Sequence, residues 1–262
     1  MQEKRIIPCL DVREGRVVKG INFINIRDVG DPVLCAMEYE KQGADELTLL
    51  DITATVEGRQ TMADVVRNVA EKISIPLTIG GGIRTVEDFR RLFDAGASKV
   101  AINSAAVGNP ELIREAAQIF GSKSVVLAVD AKLMGTDKDT GEAKFNVFVS
   151  AGRVDTGLDL AEWVRRGSEL GAGEVLPTSM DRDGTRDGFD ITMLNVVCGA
   201  CDLPVVASGG GSGLDSFVEV FEKTSVSAAL AASVFHFGEL TVGDVKRELR
   251  SHGIPVRWIA ES

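Results

Sequence analysis

A glycine triplet, Gly80-Gly81-Gly82, returns 129 residues later as Gly209-Gly210-Gly211. Each copy follows a short apolar run opened by proline, Pro76-Leu-Thr-Ile and Pro204-Val-Val-Ala. Three glycines end a strand poorly unless the backbone must turn sharply or come close to something. Other strand-end features repeat on the same scheme. Asn103-Ser104 closes the fourth apolar run and Ala232-Ser233 the eighth, again 129 residues on. Asp11 closes the first and Asp130 the fifth, 119 residues on. Features that recur every four strands favour two fused half-barrels over a doubly wound open sheet.

The eight apolar runs lie at 5–10, 46–51, 77–80, 99–103, 125–130, 174–179, 205–208 and 227–232. Segments of helical period separate them, at 32–42, 61–72, 85–95, 110–120, 159–170, 191–198, 213–222 and 241–252. Continuous apolar strands alternating with helices predict a parallel sheet buried on both faces. Eight such units in 262 residues predict an α/β fold, a (β/α)8 TIM barrel with a two-fold internal half-barrel repeat. No Pro/Ser-rich linker interrupts the midpoint, so residues 1–262 are expected to form one domain. Two long inserts stand out. Residues 12–30 carry Gly15, Gly20 and Gly30 with Arg13, Arg16, Lys19 and Arg27, and read as a lid loop. In 131–157, alternation over 144–150 after Asp139-Thr-Gly-Glu predicts a β-hairpin over the barrel mouth.

A hydrophobic content of 44% supplies a full core, and a net charge of −10 argues against nucleic-acid binding. An anionic substrate must then be held by local groups rather than by the overall field. The opening MQEKRIIPCLDV has no signal-peptide core, and no apolar stretch reaches the ~18–20 residues of a membrane span. A cytoplasmic protein without membrane contact is expected. Cys198-Gly-Ala-Cys201 has a C-x-x-C spacing, but no second pair and no paired histidines complete a metal site. No metal and no cofactor are expected.

Backbone N–H groups of a tight glycine turn hold phosphate oxygens without requiring a basic chain. In barrels a phosphate often sits on the loops after strands seven and eight. That rule predicts a site from Gly209, Gly210, Ala232 and Ser233, with Gly184 of Asp181-Arg-Asp-Gly-Thr185 beside it. Its symmetry copy would combine Gly81, Gly82, Asn103 and Ser104. Two such sites across one mouth predict a substrate with a phosphate at each end; a sharp strand-to-loop turn is the alternative for each triplet. His236 and His252 do not lie at strand ends, and no G-x-S-x-G elbow is present. The strand ends offer aspartates instead: Asp11, Asp51, Asp130, Asp181 and Asp183. Asp11 and Asp130, as symmetry mates, can divide general-acid and general-base work if their surroundings separate the two pKa values. Lys19 is the cation placed to close over the substrate.

RIIPCLDVREGRVVKG (5–20), LLDITA (49–54), IGGGIR (79–84), SMDRDGT (179–185), ASGGG (207–211) and AASVFHF (231–237) run through the chain in order. In these motifs the chain resembles the cyclase subunit of imidazole glycerol phosphate synthase, a (β/α)8 barrel of histidine biosynthesis. The resemblance implies a bis-phosphate substrate, the ribulosyl form of phosphoribosylformimino-aminoimidazole carboxamide ribotide, and ammonia delivered by a glutaminase subunit in a heterodimer. Asp11 and Asp130 match the family's general acid/base pair, and Lys19 its mobile-loop lysine. Asp51, Thr178, Asp183 and Ser208 fall at positions resembling substrate contacts. Arg5, Glu46, Lys99 and Glu174 begin strands one, two, four and six. From the residues alone they predict a salt cluster at the barrel bottom; the resemblance adds an ammonia entrance from the glutaminase. Two features depart from the family pattern. Pro177 lies inside the sixth strand, where it removes a ladder donor, and Gly167 weakens the preceding helix. The alternatives are the sister barrel that isomerises the aminoaldose precursor, and a non-catalytic activator of an amidotransferase. No cysteine sits in a G-x-C-x-G elbow, so glutamine is not expected to support turnover by this chain alone.

Overall fold

The structure, a computed structural model, describes residues 3–21, 24–57, 62–138, 140–236 and 238–258, with the side chains at 19–21, 24–29 and 55–56 outside that description. The first half runs β1 (Arg5–Arg13), β2 (Arg16–Ile21), β3 (Ile24–Gly30), α1 (Pro32–Lys41), β4 (Leu47–Asp51), α2 (Ala54–Glu57) and α3 (Ala63–Ala70). It continues with β5 (Leu77–Gly80), α4 (Val86–Asp94), β6 (Lys99–Ile102), α5 (Ser104–Gly108) and α6 (Glu111–Phe120). The second half begins with β7 (Val125–Thr136), β8 (Ala143–Val149), β9 (Val154–Asp159), α7 (Leu160–Glu169), β10 (Glu174–Ser179) and α8 (Ile191–Ala200). Then come β11 (Val206–Ala207), α9 (Leu214–Lys223), β12 (Ala228–Ala231), α10 (Ser233–His236) and α11 (Val242–Ser251).

Parallel pairings run β11–β12–β1–β4–β5–β6–β7, and β10 pairs β7. Two parallel bridges, Val175 to Val205 and Thr178 to Ser208, join β10 to β11 and close the ring. The result is the expected (β/α)8 barrel. Alternation along β1 shows how the core divides. Ile6 and Leu10 enter the large layer between sheet and helices, with Phe89 and Phe217. Ile7 and Cys9 point inward, with Val126, Leu176, Val206 and Leu230. Successive side chains of a strand face opposite sides, so an all-apolar strand serves both layers.

The inserts differ in detail from the sequence reading. Residues 12–30, expected as a loop, are largely strand. The end of β1 pairs antiparallel with β2, and β2 with β3. The expected hairpin in 131–157 is a three-stranded meander, because β7 runs on past Asp130 to pair with β8, which pairs with β9. Asp11 and Asp130 therefore both sit where a barrel strand continues into an antiparallel extension.

The two departures also have physical explanations. Val175 N–H donates to Pro204 O at 2.9 Å and Ser179 N–H to Ser208 O at 3.2 Å. Pro177, the intervening residue of that alternation, has no N–H to donate, so β10 and β11 meet through two separate bridges. The mouth end is nevertheless held, since Thr178 keeps its register with both Asp130 and Ser208. Gly167 is where α7 rests on β7: an added Cβ would lie 2.4 Å from Leu127 Cδ2. No described helix is long and apolar enough to cross a membrane.

Candidate active site at the barrel mouth

Two cavities open at the C-terminal ends of the strands and meet at Asp130 and Thr178, which line both. Around the first lie Asp51, Gly81, Gly82, Asn103 and Ser104. The second is lined by Asp11, Asp183, Gly184, Ser208, Gly209, Gly210, Ala232 and Ser233. Side chains and turns far apart in the chain thus converge because every strand of a parallel barrel ends on the same face. Lys19 pairs with Arg27 along the β2–β3 backbone, while its side chain lies outside the described residues.

The left-handed glycine pairs are Gly81 and Gly82, at φ +95° and +73°, and Gly209 and Gly210, at +88° and +90°. Space within the chain already demands glycine at three of them, Gly209 among them because a Cβ there would lie 2.8 Å from Ser179 O. A Cβ on Gly81 would lie 2.2 Å from Asp51 O, and one on Gly210 the same distance from Gly188 O. The sharp-turn explanation of the triplets therefore holds alongside any ligand role.

Asp130 carries the clearest electrostatic signature. Burial raises its pKa first, the Asp183 carboxylate adds to the rise, and Asn103 opposes it, leaving a value of about 6. Asn103 Nδ2 donates to Asp130 Oδ2 at 3.1 Å and to Phe148 O at 3.2 Å, tying β6 to the β8 extension. The carboxylate that presses on Asp130 is thus Asp183, a relation that the sequence symmetry between Asp11 and Asp130 does not show. Asp11 is 9% exposed, and Cys9 Sγ lies 3.8 Å from its Oδ1. Asp51 Oδ1 accepts from Ala54 N–H at 3.2 Å and so also anchors α2. Ser104 Oγ accepts from Ser150 N–H at 3.0 Å. Asp181, counted among the aspartates suited to chemistry, lines neither cavity; its Oδ2 accepts from Leu133 N–H at 2.7 Å and braces the β7 extension.

At the other end of the barrel, the four strand-start charges form a closed ring. Arg5 donates to Glu46 and, at 2.6 Å, to Glu174; Lys99 Nζ lies 2.8 Å from each glutamate. The Arg5 pKa is raised: burial opposes the charge, but the Glu174 and Glu46 carboxylates outweigh it. His236 Nδ1 hydrogen-bonds Tyr39 OH at 2.7 Å, joining α10 to α1. Cys198 and Cys201 lie at the C-terminal end of α8, and burial leads the rise in both thiol pKa values. That helix end disfavours a thiolate. Among the described residues, no three His, Cys, Asp or Glu side chains are grouped to hold a metal ion. Sequence reasoning missed Arg84 and Arg186, which line the first and second cavity respectively. The visible signal was slight: each lies inside or just beyond a motif already noted.

The chain matches the family described as "Histidine biosynthesis protein" over residues 5–241. The imidazole glycerol phosphate synthase subunit HisF of Streptococcus mutans is 53% identical over 257 residues, covering 98% of this chain and 100% of the relative. Proteins of the same name from Bacillus cereus strain Q1 and Clostridium botulinum strain Okra are each 56% identical, with the same coverage.

Proposed function

The chain belongs to the histidine biosynthesis protein family, within it to the cyclase subunits of imidazole glycerol phosphate synthase, and on that premise we propose how its mouth carries out the reaction. The substrate is the two-phosphate ribulosyl form of phosphoribosylformimino-aminoimidazole carboxamide ribotide. Its products are imidazole glycerol phosphate and aminoimidazole carboxamide ribotide. The observation that carries this reading is the pair of cavities meeting at Asp130 and Thr178. One phosphate lies against Gly81, Gly82, Asn103 and Ser104. The other lies against Gly184, Gly209, Gly210, Ala232 and Ser233. Asp51, Thr178, Asp183 and Ser208 contact the substrate between or beside them, and Lys19 closes over it. The reacting centre then falls near the junction, within reach of Asp130.

Ammonia condenses with the ribulosyl carbonyl, water leaves, and the resulting imine goes on to ring closure and C–N cleavage. Each step moves protons, and a carboxyl with a pKa of about 6 can give and take them near neutral pH. Asp130 serves the imine and its adducts, and Asp11 serves the cyclisation. The ammonia comes from a glutaminase subunit, docked at the strand-start face as a heterodimer. It enters past Arg5, Glu46, Lys99 and Glu174, a ring that must part to admit it because its charges are fully paired at rest.

The test is turnover of the ribulosyl substrate by the isolated chain, with Asp11→Asn alongside. Ammonium salts should support product formation by the parent, glutamine should not, and Asp11→Asn should lose at least ~100-fold in kcat, the low end for a general acid or base. Full ammonia-dependent turnover by Asp11→Asn would remove the aspartate mechanism. Turnover with glutamine would remove the need for a partner glutaminase.

A further inference from the structure

The two cavities, related by the internal repeat, are not equipped alike. Among the described residues the first is lined by one basic residue, Arg84, and the second by one, Arg186. Arg84 is the second residue after the first triplet, behind Ile83; the matching place after the second is Gly213. The second cavity therefore draws its arginine from a different loop, the one after β10. The charge there is needed, because Asp11, Asp130 and Asp183 line the same space. A phosphate dianion entering beside three carboxylates is repelled unless a cation meets it.

Arg186 is held in a telling way. Its backbone is left-handed, at φ +65°, which a non-glycine residue seldom adopts. Its guanidinium forks onto Glu239, with Nη2 2.8 Å from Oε1 and Nη1 3.3 Å from Oε2. Glu239 lies just beyond α10, whose first residue, Ser233, lines the same cavity. The two side chains are 44% and 45% exposed, and ion pairs at such exposure hold weakly. A phosphate offers the same planar fork a more highly charged partner.

We propose that Arg186 is a specificity-determining residue for the second phosphate, exchanging Glu239 for the phosphate oxygens when substrate binds. Glu239 is a placeholder that keeps the guanidinium at the rim of the cavity until the phosphate arrives. The inference rests on the two-phosphate reading of the site and adds which side chain recognises the second phosphate.

A placeholder and a brace make opposite demands on the two partners. In ammonium-dependent turnover, Arg186→Gln should raise KM by about tenfold, with most of the effect on KM rather than kcat. Glu239→Gln should lower KM by about twofold, because the carboxylate no longer competes for the arginine. KM rising in both variants would make the pair a loop brace and overturn the proposal, as would an Arg186→Gln KM within twofold of the parent. If the parent gives no turnover at all, the reaction proposed above fails. The arginine is then judged on inorganic phosphate, titrated while following the Gly209 and Gly210 amide resonances. Weaker phosphate binding in Arg186→Gln and tighter binding in Glu239→Gln would sustain it, and parallel shifts would overturn it.

Discussion

Asp130 is an aspartate whose ionisation the fold has moved toward neutrality. Its native pKa of about 6 exceeds the ordinary 3.8 because the carboxylate is buried and faces Asp183, with Asn103 only partly compensating. Between those two values the folded chain binds the proton that the unfolded chain has released. Stability therefore falls as pH rises through that window and levels off above it. Asp130→Asn removes this cost. The variant should be more stable than the parent at pH 7.5, by up to ~3 kcal/mol, and the difference should vanish near pH 4. Urea midpoints at the two pH values measure this directly. Asp183→Asn should lower the titration midpoint of the Asp130 carboxyl, read by carbon NMR of the labelled side chain. An unchanged midpoint would show that burial alone sets the value. Both aspartates could be picked out in the sequence as strand-end residues. Their coupling could not, because it depends on how the loop after β10 folds back over β7.

At the scale of the elements, local pattern and packing disagree at Gly167. A helix interior favours alanine over glycine by ~1 kcal/mol. Here an added methyl would overlap Leu127 Cδ2 on the strand beneath. Overpacking a core costs ~1–3 kcal/mol, so Gly167→Ala should be net destabilising despite the better helix former. A lowered urea midpoint that recovers when Leu127→Val is added would confirm the clash; a raised midpoint would mean that α7 shifts freely. Barrel strands and their helices were legible because their apolar runs and helical periods are local. The β2–β3 hairpin was not. Its glycines and basic residues read as a loop, and only the continuation of β1 supplies an edge for it to pair with. Pro177 shows the converse, since its missing donor is plain in sequence while the intact Thr178 register is not.

The whole molecule depends on joining its last helix to its first strand. Lys246 of α11 is 2% exposed, yet it is satisfied by Asp45 Oδ1 at 2.7 Å, Gly43 O at 2.7 Å and Arg257 O at 3.1 Å. Asp45 in turn accepts from Ile6 N–H at 2.8 Å and Arg257 Nε at 3.0 Å. Burial depresses the lysine's pKa, and Asp45 partly restores it. Replacing Lys246 with methionine keeps the stem but leaves Asp45 short of one buried cation. The expected loss is ~2–4 kcal/mol, below the full cost of an orphaned charge because Arg257 remains. Thermal or urea unfolding measures it, and a loss under ~1 kcal/mol would show that the network contributes little to closure.

The barrel class, the half-barrel repeat and the places where chemistry could sit are carried by the chain's own order of residues. Periodicity reports burial one element at a time, and glycine triplets report backbone that must turn or come close. The charged ring from Arg5 to Glu174 was legible as a cluster, but which charge pairs with which, the press of Asp183 on Asp130 and the arginine of the second cavity were decided by the tertiary structure. Each is a relation between side chains on different strands or loops. Its sign and strength depend on distance and burial, which exist only once the eight strands have closed on one another.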